Sequence, residues 1–460
     1  MPETLDETYE RILKGINKAQ KDDALRLLQC LTVAARPLRV EELAELLAFD
    51  FQAASSGGIP KLKEDWRWDN QEEAVLSTCS SLITIVRSGD SRIVQFSHFS
   101  VKEYLTSPRL TQSHGDVSQF HIDLEAAHTI MAQACLGTLL QLDEHAGNSG
   151  ATGSPLVNYA AQQWVGHAQF EDVSSRVGDG MDDLFDRSKP HFEAWLQIHD
   201  IDELWVDFSN GLPDGAGSPL YYAAICGFHD LAERLIIKHP DQVNARCGRI
   251  LAPLPAALYM GELRIANLLH KHGAVVDVRG GLEVTPLHMA VGDEDVDTMR
   301  WLLNRGADAN ARTGSFHGRT PLHWAVSGLY LEAVQVLLEH KADVNSQSGN
   351  GETPLYEAIS GSRSSPEVVD IVRLLLEHGA DANIYGYSTP LHEASSQGFL
   401  EVAYLLLSYG AKVDEEDEEG MTPFQVASTE GHHEIAKLLL EHGAVPLPQT
   451  IYVRLSVPHR

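Results

Sequence analysis

Three histidines stand in the same local company: Thr285-Pro286-Leu287-His288-Met289-Ala290, Thr320-Pro321-Leu322-His323-Trp324-Ala325 and Thr389-Pro390-Leu391-His392-Glu393-Ala394. Imidazole can ligate a metal, move a proton or bond backbone. Recurrence of one motif along a chain weighs toward a structural unit rather than toward a catalytic or metal centre. The pair His432-His433 offers two more imidazoles, but adjacent residues diverge on a helix and no third ligand is spaced nearby, so a solvated helix end is expected there. The five cysteines, Cys30, Cys79, Cys135, Cys226 and Cys247, are scattered without a CxxC pair, which suggests neither a disulfide framework nor a zinc ribbon. Phosphate chemistry needs G-x-x-x-x-G-K-[ST], and no such string is present. The nearest approach to a nucleophile elbow, Gly386-Tyr387-Ser388-Thr389-Pro390, ends in a proline that belongs to the repeated motif. Kinase, metalloprotease and dinucleotide signatures are also missing, and the expectation is a non-enzymatic chain without cofactor or metal.

The elements around the histidines repeat as a block. Prolines recur at Pro219, Pro253, Pro286, Pro321, Pro354, Pro390 and Pro423, spaced by 34, 33, 35, 33, 36 and 33 residues. Each is followed by a second apolar segment at helical spacing, such as Val334-Gln335-Val336-Leu337-Leu338-Glu339 and Ile435-Ala436-Lys437-Leu438-Leu439-Leu440. Gly306-Ala307-Asp308-Ala309-Asn310 and Gly379-Ala380-Asp381-Ala382-Asn383 supply a glycine able to end a helix in the left-handed conformation. Threonine then offers a capping oxygen, and proline pre-sets the first turn of the next helix. Tyr221, Pro255, Tyr356 and Gln425 take the histidine's slot in other units, and Pro255 argues against a regular first helix in the second of them.

The motif resembles the T-P-L-H-x-A signature of ankyrin repeats, which implies seven helix pairs stacked into an α-solenoid with hairpin tips, such as Gln347-Ser348-Gly349-Asn350-Gly351, beside a concave face. In that family the histidine bonds neighbouring backbone. Mapping the family's variable tip and inner-helix slots onto this chain gives candidate partner-binding residues. Phe316, His317, Arg319, Tyr385, Tyr387, Glu418 and Glu419 fall at tips; Tyr259, Met260, Ser396, Gln397 and Glu430 fall near the ends of first helices. The run Asp414-Glu415-Glu416-Asp417-Glu418-Glu419 predicts a basic patch on a protein partner and salt-sensitive association.

Before the repeats the texture changes. Asp22 to Ala34 and Val40 to Ala48 read as amphipathic helices, and Ser81 to Val86, Ser88-Gly89-Asp90-Ser91 and Arg92 to Phe96 read as a β-hairpin. Helices with a terminal hairpin suggest a winged helix. Three segments, Leu5 to Leu13, Ala35 to Leu43 and Phe96 to Leu105, resemble the winged-helix region following the NACHT nucleotide-binding domain in fungal NACHT-ankyrin proteins; related regions are attached to GPI inositol-deacylase-like proteins. The resemblance implies a NACHT-type NTPase as one possible class of partner and a chain without that nucleotide-binding part. A helical connector is expected next: Ala126 to Leu136 has a buried-helix pattern, Leu142 to Ser154 reads as a glycine-rich loop, and Pro155 to Ala168, with Trp164 and His167 as core, resembles the connector of the same proteins. The expected organisation is mainly α: residues 1–110 winged helix, 111–210 connector, 211–446 repeats and 447–460 tail.

Composition fits this plan. With 43% hydrophobic and 22% charged residues the chain is expected to fold, and a net charge of −30 opposes binding to nucleic acid or anionic lipid. The helices of the winged-helix segment carry Glu41, Glu42 and Glu45 beside Arg36 and Arg39, with no basic stripe. The acidic start of the chain is unlike a secretory signal and no apolar run reaches membrane-helix length, so an intracellular protein is expected, cytoplasmic with the nucleus left open.

Overall fold

The computed structural model describes residues 5–51, 58–67, 70–79, 81–112, 116–142, 154–202, 217–280, 283–314, 318–361, 365–384, 386 and 388–446. These fall into two compact units that divide between Gly248 and Arg249.

In the first unit, the apolar side of the helix Lys21–Val33 buries Ala24, Leu27, Leu28 and Cys30, packing on Leu124–Leu139 of the connector. Strand Ile83–Ser88 turns through Gly89 and Asp90 into Ser91–Phe96, with Ser88 paired to Ser91. Gly89 has φ +58°, which this two-residue turn requires. Leu38–Arg39 adds a third antiparallel strand beside Ser91–Phe96, completing the winged-helix sheet.

The two buried glutamates of this segment are paired within the fold. Glu42, wholly buried, accepts from Arg36 at 2.7 and 2.9 Å, from Arg39 Nε at 3.1 Å and from the Arg39 amide at 2.8 Å. Glu45 accepts from Arg67 at 2.7 Å, Ser154 at 2.9 Å and the Leu156 amide at 3.0 Å. These bonds satisfy carboxylates that would be costly to bury alone, and they tie the connector to the winged helix.

The connector helices Val157–Ala168, Gly178–Leu184 and His191–Ile198 enclose an aromatic cluster. Trp164, fully buried, lies 5.4 Å from Trp195, 6.2 Å from Phe185 and 5.3 Å from Phe228. His167 accepts or donates between Tyr159, 2.9 Å away, and His128, 3.0 Å away. Phe228 belongs to the first repeat, whose Tyr221 hydroxyl donates to both oxygens of buried Asp202 at 2.9 Å. Gly248, at φ +66°, leaves room for the Tyr221 ring, and a Cβ there would lie 2.1 Å from its Cζ. Gly248→Ala is therefore expected to destabilise the first unit by about 3 kcal/mol, combining left-handed strain with a clash in a packed core, measured as a shift of the urea midpoint.

Seven helix pairs follow the proline spacing, the first in the first unit and six in the second. The inner helices begin at Pro219, Pro253, Pro286, Pro321, Pro354, Pro390 and Pro423, with proline in the first turn, where its missing N–H would lack a partner anyway. The same reasoning accommodates Pro255: it lies in the first turn of a regular helix, Pro253–Tyr259, so the expected disruption does not occur. Gly306 and Gly379 adopt φ +89° and +90° after their outer helices, as their position predicted.

Two ladders join the repeats of the second unit. The Nε2–H of His288 donates to Arg319 O at 3.3 Å, that of His323 to Glu352 O at 3.1 Å and that of His392 to Met421 O at 2.9 Å. The opposite nitrogen of each ring accepts from its own capping threonine, Thr285, Thr320 or Thr389. At the other end of the units, side chains accept from the amide one repeat later: Asp277 from Asp308, Asn310 from Asp343, Asn345 from Asp381, Asn383 from Lys412 and Asp414 from Val445, at 2.7 to 3.0 Å.

Inner and outer helices meet at a left-handed residue, Gly261 in repeat 2, Gly398 in repeat 6 and Gly431 in repeat 7, but Leu329 at φ +60° in repeat 4. Replacing Leu329 by glycine is expected to stabilise the chain by about 1 kcal/mol, the strain a side chain stores there. An unchanged or lower thermal midpoint would contradict this.

Candidate functional site

The short inner helices of the second unit present, after each histidine slot, one variable residue: Met289, Trp324, Glu357 and Glu393 in repeats 3 to 6. Trp324 meets His288 edge-on at 5.3 Å, so it packs across a repeat boundary while remaining partly exposed. Tyr356 donates to Glu393 at 3.3 Å. Glu357 is 3% exposed and pairs with Arg319 at 2.9 Å. Burial pushes its carboxyl up to about 7, against the pull of Arg319.

A cavity of about 350 Å³ opens between the inner helices of repeats 2 and 3, lined by Pro255, Leu258, Tyr259, Met289, Asp293 and Asp295 among others. Apolar, aromatic and acidic groups converge there.

The sequence-derived candidates are placed as follows. Tyr259 ends the inner helix of repeat 2 and lines the cavity, with Met260 as the next residue, both half-buried. Arg319 is drawn into the pair with Glu357, and its carbonyl serves the histidine ladder. The Ser396 carbonyl accepts from His432 at 3.0 Å. His432 is thus a half-buried contact between the last two repeats, which corrects the expectation of a solvated pair; His433 is exposed. Exposed Gln397 donates to Glu393 at 3.0 Å, and exposed Glu430 caps the inner helix of repeat 7. Glu418 and Glu419 share an exposed turn that Asp417 organises by accepting the Glu419 and Met421 amides at 2.9 and 2.8 Å. Phe316, His317, Tyr385 and Tyr387 lie outside the described residues.

Met289, Trp324, Glu393 and Asp293 were not among the candidates, although a signal for the first three exists. They occupy the one position that varies inside an otherwise fixed motif, and a position that varies is one the fold leaves free.

The histidines offer no catalytic reach. Burial holds His288 and His323 down to about 4, so both are neutral, and both ring nitrogens of each are bonded. Among the described residues no group of three or more His, Cys, Asp or Glu is arranged to hold a metal ion, and no helix is long and apolar enough to cross a membrane. The five thiols are free, four of them buried, and burial pushes Cys30 and Cys79 up to about 12.

The family "Ankyrin repeats (3 copies)" matches residues 254–348, 287–386, 330–417 and 371–450. The chain carries ankyrin repeats. Ahead of this ankyrin array, the family "GPI inositol-deacylase, winged helix domain" matches residues 9–122, the region that holds the three-stranded sheet. The ankyrin-repeat chain is 31% identical over 298 residues to azaphilone pigments biosynthesis cluster protein L of Monascus ruber, covering 60% of each chain. It is 34% identical over 210 residues to ankyrin repeat and SOCS box protein 16 of Homo sapiens, covering 45% of this chain and 46% of that one. The chain therefore spans about three-fifths and about half of these two relatives. A crystal structure of the ankyrin repeat domain of Bcl-3 aligns with 49% of this chain and 100% of that one, at 28% identity and a TM-score of 0.44.

Proposed function

We propose that this chain is a protein-binding scaffold without catalytic activity, and that the inner-helix face of its ankyrin repeats receives a protein partner. The observation that carries this reading is that Trp324 and Glu393 stay partly exposed at the variable position of repeats 4 and 6, on the same inner-helix face where a cavity opens between repeats 2 and 3. A preformed surface of this kind binds without a large ordering cost. Affinity purification with the intact chain supplies the test. Trp324→Ala combined with Glu393→Lys is expected to lower retention of the principal partner at least about tenfold, the loss of one aromatic anchor and one charge, at a stability cost of about 2 kcal/mol that leaves the chain folded. Undiminished retention counts against this face.

The acidic turn supplies an independent test of a basic partner. Asp414 and Asp417 are structural and Glu415 pairs with Lys412 at 3.2 Å, which leaves Glu416, Glu418 and Glu419 exposed. Reversing these three to lysine is expected to slow association at low salt with little effect on dissociation. Equal on-rates at low salt would sink the idea.

A second reading has the winged-helix match as its support: the chain works as a regulatory part of a NACHT-type switch in non-self recognition or signalling, assembling with nucleotide-binding relatives. Co-purification of a P-loop NTPase that survives the Trp324 and Glu393 substitutions favours it. A compartment in the cytoplasm or nucleus suits either reading.

A further inference from the structure

The cavity between repeats 2 and 3 has a chemistry that narrows its occupant. Its walls are the aliphatic and aromatic surfaces of Pro255, Leu258, Tyr259 and Met289, and two carboxylates stand at its edge. Asp295 is committed to the fold, since it accepts the Thr298 amide at 3.0 Å and so caps the helix Val296–Leu303. Asp293 is exposed at the rim, its carboxylate has no hydrogen-bond or ion-pair partner among the described residues, and partial desolvation and then the neighbouring Asp295 charge raise it.

The pocket's rim therefore carries an unpaired negative charge. An anionic group would be repelled by both aspartates, and a neutral apolar group would desolvate Asp293 further without compensating it. A long aliphatic stem ending in a cation satisfies every wall, because the stem packs on apolar surface, the ring face of a tyrosine attracts cations, and a carboxylate meets the head. The volume is near the lower end of the about 300 to 1,000 Å³ typical of small-molecule sites, enough for one such side chain with water. A net charge of −30 would also draw basic surfaces toward the protein.

We propose that this cavity is a socket for a basic side chain, arginine or lysine, projecting from the protein partner. The inference rests on the reading of the inner-helix face as the binding face and adds the residue class that face recognises.

The full chain, labelled with 13C at its methionine methyl groups, can be titrated with the peptide acetyl-Gly-Arg-Gly-amide and with the same peptide carrying citrulline, the neutral isostere of arginine. The Met289 methyl resonance is expected to shift saturably with the arginine peptide and at least about tenfold more weakly with citrulline. Asp293→Asn should abolish the difference while leaving the unfolding midpoint in place. Equal response to the two peptides, or no saturable shift with arginine, overturns the proposal. The partner retained in affinity purification separates the two levels of inference. If Trp324→Ala with Glu393→Lys releases it and Asp293→Asn does not, the face stands and the socket fails; if neither releases it, the face itself is wrong.

Discussion

Acidification from pH 6.5 to 4 is expected to remove about 3 kcal/mol of stability for each of His288 and His323. Both imidazoles are depressed from 6.5 to about 4, first by burial. The unfolded chain therefore takes up these protons near pH 6.5, whereas the folded chain resists them until about pH 4. Their stabilisation is complete above the unfolded value and is lost as pH falls through this window. Glu357 acts with the opposite sign. Its carboxyl is raised from 4.5 to about 7 when folded, so falling pH over that range favours the folded state and offsets part of the loss.

His323→Gln isolates the histidine contribution. Nature uses the same replacement in repeat 7, where Gln425 accepts the Thr422 amide at 3.2 Å. The variant should cost about 1 kcal/mol at pH 7, one weakened hydrogen bond, yet exceed the natural chain by about 2 kcal/mol at pH 4. Urea unfolding at both pH values tests this: the order of stability must invert, and parallel pH profiles would refute it.

Trp164→Ala should destabilise the first unit by about 4 kcal/mol, as expected for emptying a fully buried indole site that cannot collapse. The neighbours explain why collapse is blocked. Trp195 is held by its Nε1–H bond to Ala161 O at 3.0 Å, and Phe185 and Phe192 pack against it at 5.9 and 6.2 Å. Because Phe228 also lies on Trp164, amide exchange should accelerate in the helices Pro219–Ile225 and His229–Lys238 as well as in the connector. Acceleration confined to the connector would show that the first repeat does not depend on this core. Trp66, 46% exposed, provides the contrast: its replacement by alanine should cost about 1 kcal/mol or less.

The repeats were legible because each carries its own punctuation. Proline at the first helical turn, threonine before it and glycine at Gly306 or Gly379 act within a few residues, so spacing alone reveals them. The wing was legible for the same reason, its turn being written in Gly89 and Asp90. What could not be read were partners that stacking brings from about one repeat away. Arg319 looked like a tip residue open to a partner, yet it faces Glu357, 38 positions later. His432 looked solvated until the preceding repeat placed the Ser396 carbonyl against it. The mixture of Arg36 and Arg39 with Glu42 was legible as charge that forms no basic stripe, but not that both guanidinium groups would meet on one buried carboxylate. Asp293 belongs to no motif, and its place at the rim of the cavity comes from the stacking of repeats 2 and 3.

The side-chain ladder from Asp277 to Asp414 has a mechanical consequence. Each rung joins one repeat to the next, so a load applied along the array passes through these bonds in series and finds the weakest boundary first. The last rung is the bond from Val445 to Asp414, beside the outer helix His433–Glu441, which buries Ile435 and Leu439. The array thus carries tension as a series of separate links, and its resistance to pulling is set by one boundary rather than by the sum of them.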